Sequence, residues 1–324
     1  MSINVTTLKS SFGKYIGTPA SRADIDKAFL VPSITETEFN MIPTDVVQVR
    51  RVKAAVDQVL QGFQAVISPA GTVSFEPRSI DLQELKYELE LDPDVIEDSY
   101  IGFLANPDNN SRKDWLITRY IIEELMIAKG RENFELHEAY KGVTGSITPG
   151  TATALGASYN GLGKLIADNI ADFSVVTGPT SWPTDPKDFV TAIEEWIESA
   201  CASSETNRVI IENAVDKLHM STSLAKRFKQ GMREKYNVNY GQINDPMTVF
   251  TAENITVKGL PSMSGKDRIF MTFKENRAGY IKRPGSENNM GISEANPYKP
   301  LAYAKFWKAL GFWHPEYVFV NQLV

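Results

Sequence analysis

The residues that could do chemistry are few, and none falls into a working constellation. Gly163-Lys164 ends like a phosphate-binding loop, but Ser158 stands where the first glycine belongs and Leu165 where a Ser or Thr would hold magnesium. Gly156, Gly161 and Gly163 miss the spacing of a dinucleotide fingerprint, and no apolar run leads straight into them. His137-Glu138 lacks the second histidine of a zinc helix, and Ser264-Gly265-Lys266 sits in a turn without the glycines of a nucleophile elbow. Asp168 and Asp172 stand one helical turn apart, the spacing of an acid–base pair, yet on a polar helix face they read as solvated surface. Cys201 is the one cysteine, so no internal disulfide can form, and it reads as a small buried hydrophobe. His219 beside Met220 reads as a packed or capping residue. No catalytic residue, cofactor or metal ligand is assigned.

Charge carries more information. The chain has a formal net charge of −6, which argues against a protein built to coat nucleic acid. Acids crowd residues 76–108, from Glu76 to Asp108, with only Arg78 and Lys86 among them. Bases crowd 217–235 (Lys217, Lys226, Arg227, Lys229, Arg233, Lys235) and 258–283. Separately solvated faces account for this simply. Complementarity between copies of the chain accounts for it too, and under that reading Glu84, Glu88 and Glu90 meet Arg227, Lys229 and Arg233 of a neighbour. Phe306, Trp307, Phe312 and Trp313 alternate with Lys305 and Lys308. Such interleaving can stack on bases, but a core or subunit interface is the plainer assignment.

The elements that must position these groups follow from periodicity. At 324 residues the chain suits roughly two domains. It has no eighteen-residue apolar run and no apolar leader at its N-terminus, so no membrane contact is expected. Residues 1–43 read as a weakly structured arm in which Ser21 and Asp24 could cap a short helix through Phe29. Val46, Val49, Val52, Val56, Val59 and Phe63 step by three and four, which predicts a helix over 44–63. Val73 and Phe75 alternate after the turn Ser68–Gly71, and Leu85, Tyr87, Leu89 and Leu91 alternate with Lys86, Glu88 and Glu90. This predicts a long β-hairpin over 64–91 that ends in an acidic ladder and leaves the body. Asp92-Pro93 opens a short helix. Residues 111–140 predict a helix about 45 Å long, with Gly130 a possible break, and a glycine-rich junction closes it.

Beyond the junction the pattern is α/β. A short helix turns Leu162, Leu165, Ile166 and Ile170 inward. Val175-Val176 follows, then a strong helix capped by Asp185 and started by Pro186. The run 208–215 reads as a buried strand, 221–236 as a basic amphipathic helix with Leu224, Phe228, Met232 and Tyr236 on one side, and 254–283 as strands. Residues 300–313 read as a helix and 317–324 as a terminal strand.

This order of elements, with stretches such as LELDPDVIEDSYIGFLA, DWLITRYIIEELMIAKGRENFELHEAYKG and NRVIIENAVDKLHMSTSLAKRFKQ, resembles the major capsid proteins of tailed bacteriophages. Those proteins have the Hong Kong 97-type fold, which encapsulins share. The resemblance implies an α+β chain with an N-terminal arm (1–43), an extended β-hairpin loop with flanking helices (44–110), and a peripheral domain with a long spine helix (111–147). It further implies an α/β axial domain (148–283) and a return to the peripheral domain (284–324). The hairpin would lie over a neighbouring subunit. The partners it implies are the chain itself in hexamers and pentamers, a separate scaffolding protein, a portal, a decoration protein, and packaged double-stranded DNA held without sequence specificity. The product would be a virion shell assembled in the host cytoplasm. An encapsulin-type nanocompartment is the alternative within the fold. An α/β enzyme with its site in 148–283 is the alternative from another class.

Overall fold

The structure is a computed structural model that describes residues 25, 27–56, 59–64, 69, 71–91, 120–236, 247–282, 290–293 and 301–323. The expected helix after Asp92-Pro93 and the first third of the expected 111–140 helix lie outside the described residues. Two sheets and a separate two-stranded ribbon organise the rest.

The first sheet is built on the longest strand. β1 (Asn40–Pro43), β4 (Gln83–Glu90), β10 (Arg277–Lys282), β11 (Met290–Ser293) and β12 (Leu301–Phe312) form it. Antiparallel β4, β10 and β11 flank β12, and β1 adds in parallel to β10. Leu301–Phe312 is therefore a strand, where 300–313 was expected to be a helix. Ala302, Ala304 and Phe306 are buried while Tyr303, Lys305 and Trp307 are half-buried, a period of two. The helix-forming alanines, leucines and lysines are overridden by three ready partner strands. The acidic ladder at 83–90 is a strand as expected, but it pairs with β12 and belongs to the body.

The inner face of this sheet packs on α1, a continuous helical run made of Tyr120–Ile127, Ala128–Asn133 and Phe134–Glu138, with wide turns at both ends. Ile121, Ile122, Met126 and Ile127 meet Leu85, Tyr87, Leu89 and Phe306, and Ile25 and Phe29 close the layer. Gly130 does not break the helix. A Cβ there would lie 2.4 Å from the Tyr87 ring, so glycine is what lets helix and sheet approach. The N-terminal segment is firmer than expected from Ser33 onward. Thr35 Oγ1 donates to Glu135 (2.8 Å) and Lys308 pairs with Glu36 (2.6 Å).

The second sheet runs β5 (Ser174–Val176), β13 (Phe319–Asn321), β9 (Phe270–Phe273), β6 (Val215–Ser221), β8 (Ala252–Leu260) and β7 (Thr248–Val249). One face carries α3 (Pro186–Ala202) and α5 (Thr222–Tyr236); the short α2 (Leu162–Asp168) precedes them, and α4 (Glu205–Asn213) lies between. α3 forms as its sequence dictates: Asp185 Oδ1 accepts from the amides of Lys187 and Asp188, and Phe189, Ile193, Trp196, Ile197 and Ala200 face Leu218, Met220, Val257 and Met271. The basic helix over 222–236 also forms, with Leu224, Phe228 and Met232 buried. Residues 208–215 are mostly α4, not the expected strand. Ser204 caps it by accepting from the Thr206 amide, only Ile211 is buried, and Val209 faces solvent. Ile170, expected inward, is exposed in the turn beyond α2.

The chain crosses between the layers near its end. β10 joins the first sheet although it lies in 148–283, and β13 joins the second although it lies in 284–324. Phe39, Phe134, Tyr159, Phe270, Phe312 and Val318 bind the two layers into a shared core.

Candidate assembly surface

The ribbon consists of β2 (Gln48–Val56) and β3 (Val73–Asp81), paired antiparallel from Gln48↔Asp81 to Val56↔Val73. Residues 48–56 of the expected 44–63 helix are thus a strand, and the hairpin begins sixteen residues earlier than its sequence pattern suggested, at 48 instead of 64. Helical spacing of the valines was accidental. Val52, Ala54 and Val56 also keep a period of two, and β-branched residues with no face to bury favour an extended chain.

Cross-strand pairing divides the ribbon into two unlike faces. One face, at Val49, Arg51, Lys53 and their partners Ile80, Arg78 and Glu76, turns its base to the body. Val49 and Ile80 pack with Leu82, Tyr280 and Trp313. The Arg51 guanidinium lies 4.4 Å over the Trp313 ring, and Lys53 Nζ reaches Glu316 Oε1 at 2.5 Å. The other face carries Val52, Ala54 and Val56 opposite Pro77, Phe75 and Val73. Phe75 is 69% exposed and Val52 64%. Beyond it, in the segment joining the strands, Leu60 and Phe63 are exposed as well. A two-stranded ribbon with a bare apolar face is marginal alone in water and is a surface built to be covered.

The charged residues singled out from the sequence fall on two different layers. Glu84, Glu88 and Glu90 stand on the outer face of β4. Glu84 pairs with Lys305 across the sheet and Glu88 with Lys86 on its own strand (2.8 Å). Arg227, Lys229 and Arg233 are half-buried on α5, and Arg227 Nη1 donates to the Pro183 carbonyl (2.9 Å). Sequence reasoning missed the apolar ribbon face. Its signal was present as two short period-two runs, Val52-Ala54-Val56 and Val73-Phe75-Pro77, on either side of a turn.

The histidine and acids resolve as structural groups. His219 is fully buried and stacks on Phe270, 4.7 Å between ring centres. Its Nε2 lies 3.2 Å from Arg277 Nη1 and 3.5 Å from Glu38 Oε2. Glu38, at the turn before β1, draws three cations and the His219 ring from three strands: Lys217 (2.7 Å), Lys258 (3.4 Å), His219 (3.5 Å) and Arg277 (3.8 Å). Arg277 also grips Asp216 with two bonds, 2.9 and 2.7 Å. Burial pushes the Glu38 carboxyl up, but His219 and Lys217 outweigh it and hold the group well below the usual carboxylate range. Burial pushes His219 down, and Arg277 adds to that against the pull of Glu38.

One cavity of about 630 Å³ opens between α3, α4 and β8. Its polar groups are mostly spent: Glu194 accepts from Lys235 and Tyr236, and Arg208 pairs with Glu212. Cys201 lines it, and burial pushes that thiol up, away from the reactive thiolate. Asp168 pairs with Lys164 (2.6 Å) along α2. Among the described residues no cluster of three or more His, Cys, Asp or Glu could hold a metal ion, and no helix is long and apolar enough to cross a membrane.

No protein-family model matches the sequence, and no curated protein matches it. Solved structures do match. A chain of the satellite phage P4 procapsid that includes the size determination protein superposes with a TM-score of 0.54, over 98% of this chain and 97% of that one, at 11% identity. The chain has the Hong Kong 97-type capsid fold. The capsid of Myoviridae phage XM1 matches over 85% of each chain at 17% identity, with a TM-score of 0.48. The SrpI encapsulin of Synechococcus elongatus matches over 87% of this chain and 84% of that one at 13% identity, with a TM-score of 0.46. The hairpin that the sequence pattern placed at 64–91 lies at 48–81.

Proposed function

We propose that this chain is the major capsid protein of a tailed double-stranded DNA bacteriophage, a subunit that self-assembles into the icosahedral head. The observation that carries this reading is the ribbon: on a Hong Kong 97-type fold, a long arm presents an apolar face that the subunit's own body does not cover. A second copy is the simplest cover, because repeated contacts of one surface with another on the next copy generate closed shells. The work is structural, with no catalytic step.

In this reading residues 1–43 are the N-terminal arm, and the ribbon is the part of 44–110 that reaches a neighbour. The first sheet with α1 is the peripheral domain, and the second sheet with α3 and α5 is the axial domain that gathers into pentamers and hexamers. A scaffolding protein, a portal, a decoration protein and DNA held without sequence preference complete the partners, and the virion is the location. The exposed acids of β4 and the bases of α5 are proposed as secondary contacts.

The direct test is the particle. The full chain, expressed alone and with its neighbouring genes, is sized by light scattering and negative-stain microscopy. Closed shells of many copies are expected. Shell diameter and DNA content separate a phage head from a nanocompartment. A chain that stays monomeric under both conditions removes the shell reading. Within it, Phe75→Asp is expected to leave the subunit folded, with an unchanged melting temperature, and to abolish shells, because the charge lands on the face that must be dehydrated.

A further inference from the structure

We infer that the corner Trp313–Glu316 is a clamp that fixes the inclination of the ribbon, with Glu316 as its positioning residue. The ribbon's polar face places Arg51 directly opposite Arg78. Like charges facing across a strand pair repel, so the ribbon by itself is poorly made on this side. The body supplies what it lacks. The Trp313 ring lies under Arg51, and Glu316 takes a cation from each strand: Lys53 from β2 (2.5 Å) and Arg78 from β3 (3.6 Å). Arg78 also reaches Glu76 (3.3 Å), the cross-strand partner of Lys53, which closes a ring of charges across the two strands.

The corner is held rigidly from behind. Asn276 accepts from the His314 amide (2.7 Å) and donates to the His314 carbonyl (2.8 Å). Ser174 Oγ donates to the Glu316 carbonyl (2.5 Å), and His314 Nδ1 stands 3.4 Å from Glu316 Oε1. Both layers of the fold therefore grip the corner, and the corner grips the ribbon. The pairs are about three-quarters buried, with Lys53 25% and Glu316 27% exposed. Burial pushes the Glu316 carboxyl up, and Lys53 and Arg78 more than offset it, so the group stays charged. A ribbon held at one inclination meets its neighbour without first losing orientational freedom, which is the gain from preorganisation. This use of the clamp rests on the shell reading; the clamp itself does not.

The test measures the inclination directly. Spin labels are placed at Ser74→Cys, on the far part of the ribbon, and Val209→Cys, on α4, in the full chain carrying Cys201→Ser. Labelled protein is diluted with unlabelled protein so that only distances within one chain are read by pulsed dipolar spectroscopy. A single narrow distribution is expected, and a clearly broader or shifted one in Glu316→Gln with the melting temperature little changed. Lys53→Gln with Arg78→Gln reads the same clamp from the ribbon side should the first variant fail to fold. Shell formation by the clamp variants is expected to need protein concentrations higher by on the order of tenfold. Distributions that stay narrow and unshifted in the folded variants overturn the clamp. A broadened ribbon in a protein whose parent forms no shell leaves the clamp standing and removes the shell reading instead.

Discussion

Glu38 shows how much a single carboxylate can hold when it is buried among cations. It ties the turn before β1 to β6, β8 and β10 through Lys217, His219, Lys258 and Arg277. Removing it takes the carboxylate from Lys217 and from the buried His219 ring, while Arg277 keeps only Asp216. Glu38→Gln is expected to cost about 3 kcal/mol by chemical denaturation, the lower end for breaking a buried pair, since the lysine ends reach solvent. The same cluster makes stability fall with acid. His219 has its folded pKa below the ordinary 6.5, so below about pH 6.5 the unfolded chain binds a proton that the folded chain resists. Glu38, held below its ordinary 4.5, adds a second loss that begins as pH falls through that value. Melting temperature should therefore drop between pH 6.5 and 5. In His219→Gln the pH 7 value is lower but that drop is shallower, by up to about 1.4 kcal/mol per pH unit. An unchanged slope in the variant would remove His219 as the acid-sensitive group.

The contact between α1 and the first sheet turns on one glycine. Tyr87 is held between Phe29 and Phe306, its ring 4.5 Å from that of Phe306, and it presses into the space a Cβ on Gly130 would take. Alanine is the better helix former by about 1 kcal/mol, yet Gly130→Ala is expected to destabilise by about 1–3 kcal/mol through overpacking. In a Tyr87→Ala background the sign reverses, and Gly130→Ala stabilises by about 1 kcal/mol; calorimetry of the four proteins gives the cycle. This contact also shows what the sequence hides. Helices with a cap and a single apolar face, α3 and α5, were legible because local rules and tertiary packing agree there. β4 was legible for the same reason, as a clean alternation. The segments 44–63, 208–215 and 300–313 were not, because valines spaced for a helix also suit a ribbon, a β-branched triplet sits on a capped helix, and alanine-rich β12 gains its strand from flanking strands, one of which, β4, lies more than two hundred residues away. The apolar face of the ribbon became visible only when the register joined Val52, Val56, Val73 and Phe75. The clamp needed the fold, since Lys53, Arg78 and Glu316 are brought together from three distant stretches.

At the scale of the whole molecule, two forces compete for control of assembly, and salt separates them. Subunits of net charge −6 repel one another at low ionic strength, and salt screens that repulsion over a Debye length of about 10 Å at 0.1 M. If acid–base complementarity drove the contact, screening would weaken assembly. The structure favours the opposite sign. Glu84 and Glu88 already have partners within the chain, and Arg227 is held by a carbonyl, so little strong charge is left to spend on a neighbour. The ribbon offers instead an apolar face whose burial scales with area and strengthens in excluded salts. The clamp at Glu316 is mostly buried and is screened far less than exposed pairs. Assembly followed by light scattering is therefore expected to hold or strengthen as sodium chloride rises from about 0.05 to 0.5 M. Glu88→Lys with Glu90→Lys should shift the assembly concentration by no more than about twofold, in keeping with the worth of exposed ion pairs, while Phe75→Asp prevents assembly at every salt. Shells that come apart as salt rises would hand control back to the charged surfaces of β4 and α5.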